Sequence, residues 1–127
     1  GELDAVRDCP AITIEQYGDV CCIRREEVTP EHVAQARHGL ARAREAMLSG
    51  KYDIVVLDEI NVSIWFGLLA VDEVLALLDE RPTTVELVLT GRYAPDELVE
   101  RADLVTEMRE IKHYYARGIP ARVGIER

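Results

Sequence analysis

Apolar and polar positions alternate in blocks along the chain, and the blocks predict strands and helices in turn. Four consecutive apolar residues form Ile54–Leu57, a run typical of a strand buried on both faces of a parallel sheet. Residues 85–89 repeat this apolar character before a Thr-Gly break. The alternating residues 11–17 predict a short strand, and residues 104–111 are a final strand candidate.

Helical patterns lie between these strands. Thr29 is a good N-cap and Pro30 suits the first helical turn, so a helix is predicted over residues 30–49. Its apolar face has spacings of three and four residues: Val33, Ala36, Leu40, Ala43 and Met47. A second helix is predicted over residues 71–80 and a short third one over residues 95–101. The order β-α-β-α-β-α-β predicts a single α/β domain, residues 1–127, with a mostly parallel sheet and flanking helices.

Composition narrows the possible partners. The net charge of −9 makes the chain a poor candidate for binding nucleic acid or an anionic membrane. No apolar run approaches the roughly 20 residues that a membrane span requires. The three cysteines, an odd number that includes a vicinal pair, do not suggest a disulfide framework, so we expect a reducing cytoplasmic location.

Polar residues follow both central strands. The first loop carries Asp58, Glu59 and Asn61, and the second carries Thr90, Gly91 and Arg92. Because parallel strands end at the same edge of a sheet, these two loops are expected to converge there. Adjacent carboxylates at such an edge repel each other unless a cation such as Mg²⁺ lies between them, so Asp58 and Glu59 are candidate metal ligands of Walker B type.

Simpler interpretations compete with each of these assignments. The acidic pair could be a solvated strand end or a helix cap, and Arg92 could form a surface ion pair. Trp65 and Phe66 are expected to be packing residues, and the alternative is that they line an apolar face of a ligand. No G-x-x-x-x-G-K-[ST] loop, which would hold the phosphates of a nucleotide, occurs in the 127 residues.

Several strings resemble the P-loop-type ATP:corrinoid adenosyltransferases, the cob(I)alamin or cob(I)yrinic acid a,c-diamide adenosyltransferase family. The most specific are L-T-G-R-Y-A-P-D-E-L and A-D-L-V-T-E-M-R-E-I-K-H, and V-L-D-E-I-N-V and G-I-P-A-R-V-G-I-E-R extend the resemblance over the whole chain. A generic Walker B ATPase would explain the acidic pair but not the other strings. The resemblance implies a P-loop-NTPase-like (RecA-like) fold.

The resemblance also implies an activity. Family members transfer the 5′-deoxyadenosyl group of ATP to the cobalt of a reduced corrinoid and release triphosphate. The implied substrates are ATP with Mg²⁺ or Mn²⁺ and a cobalamin, cobinamide or cobyrinic acid a,c-diamide. A homodimer is expected, and a flavoprotein-type reductant is a further expected partner, with a role in cobalamin biosynthesis or salvage.

Residue by residue, the resemblance assigns Asp58 and Glu59 to metal binding and catalysis. It assigns the T-G-R loop and Asn61 to ATP and its phosphates. The segment that would close over the corrinoid contains Tyr17, Cys21, Cys22, Ile23 and Arg24. This segment has neither the Phe nor the Trp of the G-F-x-W pattern found in one branch of the family.

The family's N-terminal strand, Walker A loop and helix would precede residue 1. The chain therefore resembles the C-terminal majority of an adenosyltransferase domain, and alone it is expected not to bind ATP in the family manner. A noncatalytic, truncated paralogue that binds corrinoid or a protein partner is the alternative.

Overall fold

A computed structural model describes residues 2–18 and 24–123 of the chain. The described residues fall into two compact units. One combines segments of Gly1–Glu15 and Leu104–Arg127, and the other lies within Gln16–Asp103. The first unit contains helix α1, Glu2–Val6, and a short 3₁₀ turn, Tyr115–Arg117.

The second unit is an α/β arrangement around two parallel strands. A 3₁₀ turn, Arg25–Glu27, precedes the regular elements. These elements are α2 (Pro30–Leu48), β1 (Ile54–Leu57), α3 (Ile60–Trp65), α4 (Val71–Asp79), β2 (Glu86–Leu89) and α5 (Asp96–Arg101). Strands β1 and β2 pair in parallel, with Ile54 beside Glu86 and Leu57 beside Leu89. The prediction of an α/β fold with a parallel sheet is therefore confirmed at this level.

Helix α2 begins where the sequence predicts. The Thr29 hydroxyl accepts a hydrogen bond from the backbone N–H of His32 at 3.3 Å, and the imidazole Nδ1 of His32 accepts one from the Thr29 N–H at 3.1 Å. Histidine thus takes the part that Glu or Gln plays in a capping box. At the other end, the Ser49 hydroxyl donates to the carbonyl of Ala46 at 2.7 Å. Both ends of the predicted helix are confirmed to within a residue.

The core lies on one face of the sheet. Val55 and Leu57 of β1 belong to one buried cluster with apolar side chains of the helices and loops. The helical and loop members of that cluster are Met47, Ile60, Leu69, Val74, Leu77, Val85 and Leu98. Ile54 and Val56, which point to the opposite face, are 59% and 55% exposed. The prediction that β1 is buried on both faces is wrong for the described residues, because the helices cover only one of them.

Two predicted strands are also absent from the described chain. Residues 11–17 and 104–111 pair with no described strand, and their apolar side chains are exposed, as Ile12 and Met108 illustrate. Alternation or apolarity alone does not form a strand, since the backbone N–H and C=O groups need a neighbouring strand as partner. The predicted four-stranded order is therefore wrong here. Among the described helices, none combines the length and apolarity needed to cross a membrane.

Candidate functional site

The two loops predicted to converge do meet at the carboxyl ends of β1 and β2. The Thr90 hydroxyl donates a hydrogen bond to Oδ1 of Asp58 at 2.6 Å and accepts one from the backbone N–H of Glu59 at 3.0 Å. The N–H of Thr90 donates to the carbonyl of Leu57 at 3.1 Å, which continues the strand pairing by one residue. One threonine therefore fixes the acidic pair relative to the second loop. We call this region, Asp58–Asn61 with Thr90–Arg92, the carboxyl edge.

Asn61 is the buried polar residue of the carboxyl edge. Its backbone N–H donates to the carbonyl of Thr90 at 3.2 Å, and its side-chain Nδ2 donates to the carbonyl of Gly91 at 3.1 Å. The residue is only 6% exposed, and its Oδ1 has no hydrogen-bond partner within the described residues. A buried acceptor left unpaired costs about 1–3 kcal/mol. The edge therefore holds one acceptor oxygen that a ligand could satisfy.

Gly91 allows the second loop to lie against the first. Its φ is +113°, and a Cβ atom at this position would lie 3.2 Å from the Cα of Glu59 and 3.3 Å from the backbone N of Val62. Both contacts are with backbone atoms, which cannot rotate away. Only glycine fits here without moving one of the loops.

Glu59 and Tyr93 are the only non-glycine residues with positive φ in the described chain, at 58° and 65°. The left-handed conformation costs an ordinary residue roughly 1–2 kcal/mol. Both lie at or beside the carboxyl edge, where Glu59 is the N-cap of α3 and its carbonyl accepts from the N–H of Ser63 at 3.1 Å. Backbone strain of this kind concentrates at functional sites.

The oxygen-rich donor set at the carboxyl edge suits a hard divalent cation. Asp58 and Glu59 are exposed, and the unpaired Oδ1 of Asn61 lies on the same edge. In the described residues, no group of three or more His, Cys, Asp or Glu side chains is placed to hold a metal. Mg²⁺ takes one or two protein carboxylates and completes its shell with water and substrate phosphates.

The residues predicted to contact a corrinoid divide into two groups. Cys21, Cys22 and Ile23 lie outside the described residues. The Tyr17 ring packs on α2, edge-on to His38 at 5.4 Å between ring centroids. An open cleft of about 500 Å³ lies there, lined in part by Tyr17, Gln35 and His38. The backbone N–H of Arg24 donates to Oε2 of Glu27 at 2.8 Å.

Three residues beside the carboxyl edge were given no site role from the sequence. The rings of Trp65 and Tyr93 are stacked, with centroids 4.6 Å apart and planes 23° apart. The guanidinium of Arg25 lies 5.1 Å from the centroid of the Trp65 ring. The sequence offered two signals, the position of Tyr93 directly after the T-G-R string and the alternative that Trp65 lines a ligand face. Helix α3, which presents Trp65, was not predicted.

The described chain is an α/β arrangement with an oxygen-rich site at the carboxyl ends of two parallel strands. A family model described as ATP:corrinoid adenosyltransferase BtuR/CobO/CobP matches residues 1–127. The chain belongs to this family.

Individual relatives agree with this assignment. A corrinoid adenosyltransferase of Sinorhizobium sp. is 42% identical over 121 residues, covering 88% of this chain and 56% of the relative. One from Pseudomonas aeruginosa is 38% identical over 94 residues, covering 74% of this chain and 46% of the relative. An uncharacterized protein of Nostoc sp. is 44% identical over 88 residues, 69% of this chain and 23% of its own length. The chain thus spans about half the length of the corrinoid adenosyltransferases it matches.

Proposed function

We propose that this chain is the corrinoid- and metal-binding part of an enzyme that transfers the 5′-deoxyadenosyl group of ATP to the cobalt of a reduced corrinoid. Cobalt(I) supplies the electron pair that forms the bond to the 5′-carbon. The bond from that carbon to the triphosphate oxygen breaks, and triphosphate leaves with its electron pair. Family membership and the geometry of the carboxyl edge support the proposal.

The protein's main task in such a reaction is to hold the 5′-carbon in line with cobalt and to neutralise the leaving triphosphate. Asp58 and Glu59 would hold Mg²⁺ or Mn²⁺, which supplies positive charge to the phosphates when bound. Arg92 would offer its planar guanidinium to a phosphate. Thr90 would keep the Asp58 carboxylate and the backbone of Glu59 in place through its two hydrogen bonds.

Asn61 takes a narrower role than general phosphate binding. Its Nδ2 is engaged by the carbonyl of Gly91, so the free atom is an acceptor. An acceptor repels phosphate oxygens and attracts a hydroxyl or a metal-bound water. We therefore assign Asn61 to a ribose hydroxyl or to the water shell of the metal.

The corrinoid would be held by the segment containing Tyr17, Cys21, Cys22, Ile23 and Arg24. Apolar side chains of this segment near the lower face of the corrin would help remove the axial ligand and ease reduction to cobalt(I). Because the segment lacks the Phe and Trp of G-F-x-W, smaller side chains would do this here.

The remaining parts of the proposal rest on family membership alone. A longer polypeptide would supply the strand, Walker A loop and helix of a P-loop-NTPase-like (RecA-like) domain, because the 127 residues contain no G-x-x-x-x-G-K-[ST]. The enzyme would act in the cytoplasm as a homodimer and take electrons for cobalt from a flavoprotein-type reductant. It would accept a cobalamin, a cobinamide or cobyrinic acid a,c-diamide.

The observation that carries the proposal is that the Thr90 hydroxyl donates to the Asp58 carboxylate and accepts from the backbone N–H of Glu59. Glu59→Ala tests the proposal. In the full-length protein, supplied with ATP, Mg²⁺ and reduced corrinoid, the visible spectrum of the corrinoid follows product formation. The variant should lose activity on the order of 100-fold or more, as removal of a charge-stabilising group does. Glu100→Ala, an exposed glutamate on α5, is the matched control and should retain wild-type activity. Full activity in Glu59→Ala would contradict the role of Glu59.

A noncatalytic paralogue that binds corrinoid or a protein partner is the alternative. The reading frame upstream distinguishes the two, since G-x-x-x-x-G-K-[ST] there supports the enzyme. Calorimetry of the 127-residue chain with MgATP adds a direct test. Micromolar binding would contradict the view that a separate phosphate loop is essential.

A further inference from the structure

An exposed aromatic pair, Trp65 and Tyr93, adjoins the carboxyl edge. The two rings are nearly parallel, with their centroids 4.6 Å apart, and Trp65 also meets the edge of the Phe66 ring at 5.2 Å. Trp65 is 39% exposed and Tyr93 is 56% exposed. Two large rings that stack on each other at the surface bury less apolar area than they would in the core.

Packing alone does not account for the position of Tyr93. Its φ of 65° is an outlier for a bulky side chain, and the ring it presents gains little burial in return. Glycine, which has no Cβ, would satisfy the same backbone turn with less strain. The tyrosine ring is thus presented at the surface by a strained backbone.

Positive charge accompanies both rings. The guanidinium of Arg25 lies 5.1 Å from the Trp65 centroid, and that of Arg92 lies 6.0 Å from the Tyr93 centroid. The second distance is at the outer limit of a cation–π contact, so Arg92 is held only weakly there. An arginine beside an exposed ring is the combination that binds a base by stacking and its phosphate by charge.

The aromatic pair is continuous with the carboxyl edge on both sides. Tyr93 directly follows Arg92, and Trp65 ends the helix whose N-cap is Glu59. Arg25, next to Arg24, reaches the same pair from a third segment. Three segments with predicted site roles therefore converge on these two rings, and none of those roles includes the rings themselves.

We propose that the aromatic pair stacks the planar heteroaromatic base of a nucleotide, with Arg92 turning from Tyr93 to a phosphate of the same ligand. The proposal rests on the proposed function, which offers two sources of this chemistry. One is the base of ATP. The other is the nucleotide base that a complete cobalamin carries and a cobinamide lacks.

Calorimetry on the full-length protein with Tyr93→Leu and Tyr93→Phe tests the stacking. The four probes are ATP with Mg²⁺, inorganic tripolyphosphate with Mg²⁺, cobinamide and cobalamin. Loss of the ring should weaken binding of the base-bearing ligand at least about tenfold, whereas Tyr93→Phe keeps the ring and should change it less than about twofold. Trp65→Leu and Trp65→Phe repeat the comparison at the second ring.

The probes separate the two sources. If the pair stacks the base of ATP, the leucine variants weaken ATP and leave tripolyphosphate and both corrinoids unchanged. If it stacks the corrinoid's own base, they abolish the preference for cobalamin over cobinamide and leave ATP unchanged. In either case the unaffected probe also shows that the carboxyl edge is still folded.

Unchanged affinities for all four probes in both leucine variants would overturn the proposal, as would equal losses for ligands with and without a base. The adenosyl-transfer assay on the wild-type protein keeps this result separate from the proposed function. If the wild type transfers the adenosyl group and the leucine variants bind all four probes with unchanged affinity, only the stacking site is ruled out. If the leucine variants lose affinity only for ligands that carry a base, but the wild type does not transfer the adenosyl group, only the proposed function is ruled out.

Discussion

The carboxyl ends of β1 and β2 differ sharply from the outer face of the same two strands. At the ends, Thr90 and Asn61 join the two loops by side-chain and backbone hydrogen bonds. On the outer face, Ile54, Val56 and Val88 form adjacent apolar positions, and all three are exposed. One region pairs its polar groups across two loops and leaves only the Asn61 Oδ1 without a partner among the described residues, whereas the other leaves apolar surface in contact with water.

The two regions of this short sheet differ in whether neighbouring residues of the chain are enough to stabilise them. The carboxyl edge is built by residues within four positions of a strand end, so the chain contains everything needed to form it. The outer face would be stabilised only by a surface that packs on it, at roughly 25 cal/mol for each Å² of apolar area covered. The edge is held together by hydrogen bonds within the described chain, whereas the apolar side chains of the outer face have no described residues packed on them.

Gly91→Ala should have the largest effect on stability, because it strikes the contact between the two loops. A non-glycine residue at this φ costs roughly 1–2 kcal/mol, and overpacking against backbone atoms typically adds 1–3 kcal/mol. We expect urea denaturation to show a total loss of about 2–5 kcal/mol. Gly50→Ala is the matched control, since Gly50 also has a positive φ but nothing within 4 Å of the added Cβ. Equal losses in the two variants would show that the close approach of the loops does not matter.

Val55→Thr and Val56→Thr compare the two faces of β1 directly. Threonine keeps the shape of valine, so the change isolates the hydroxyl group. At buried Val55 the hydroxyl should cost about 1–3 kcal/mol, and at exposed Val56 the change should stay within about 0.5 kcal/mol. A large loss at Val56 in urea unfolding would mean that this face is covered in solution, and the contrast with the edge would fail.

Thr90→Val tests the hydrogen bonds that close the edge. It removes the donor to Asp58 and the acceptor for the Glu59 N–H without changing the shape of the side chain. A loss of about 1–2 kcal/mol is expected in thermal or urea unfolding. Thr90→Ser retains the hydroxyl and should lose less than half as much. If serine and valine are equally destabilising, the methyl group rather than the hydroxyl holds the loops.

The smallest expected effect is a pH dependence of stability from Glu73 of α4. Glu73 lies outside both the carboxyl edge and the outer face, so it shows the size of an ordinary surface contribution. Glu73 accepts from the backbone N–H of Ala70 at 2.8 Å and from Arg37 at 2.9 Å, and these bonds hold its pKa below the ordinary value. Because the folded-state pKa is lowered, the stabilisation is complete above the ordinary pKa of 4.5 and is lost as pH falls through the folded value.

The side chain is about a third exposed, so we expect less than about 1 kcal/mol from this group. Glu73→Gln should flatten the fall in stability below pH 4.5 in urea titrations at a series of pH values. An unchanged pH profile in the variant would assign that fall to other carboxylates.

The elements that the sequence predicted correctly are those specified by neighbours in the chain. Helix α2 follows from its cap and its apolar spacing, and β1 and β2 follow from compact apolar runs. The convergence of the two loops followed from parallel pairing and is confirmed by the Thr90 hydrogen bonds. The roles of the edge residues in ATP and metal binding remain predictions.

The elements that were predicted wrongly depend on partners distant in the chain. Residues 11–17 have the alternation of a strand but no strand beside them among the described residues. The apolar run Ile54–Leu57 predicted burial on both faces, but among the described residues only the face of Val55 and Leu57 is covered. The Trp65–Tyr93 stack joins residues 28 positions apart through an unpredicted helix and a left-handed backbone, which no local pattern specifies.

Trp65 is the only tryptophan among the 127 residues. Its stacking on Tyr93 places the chain's dominant ultraviolet fluorophore beside the candidate site instead of in the core. Emission from this chain is therefore a local signal, sensitive to solvent and to quenching groups within a few ångströms of one ring. A ligand that binds at the neighbouring edge should change the intensity or wavelength of Trp65 emission, so its binding can be followed in real time without attaching a label.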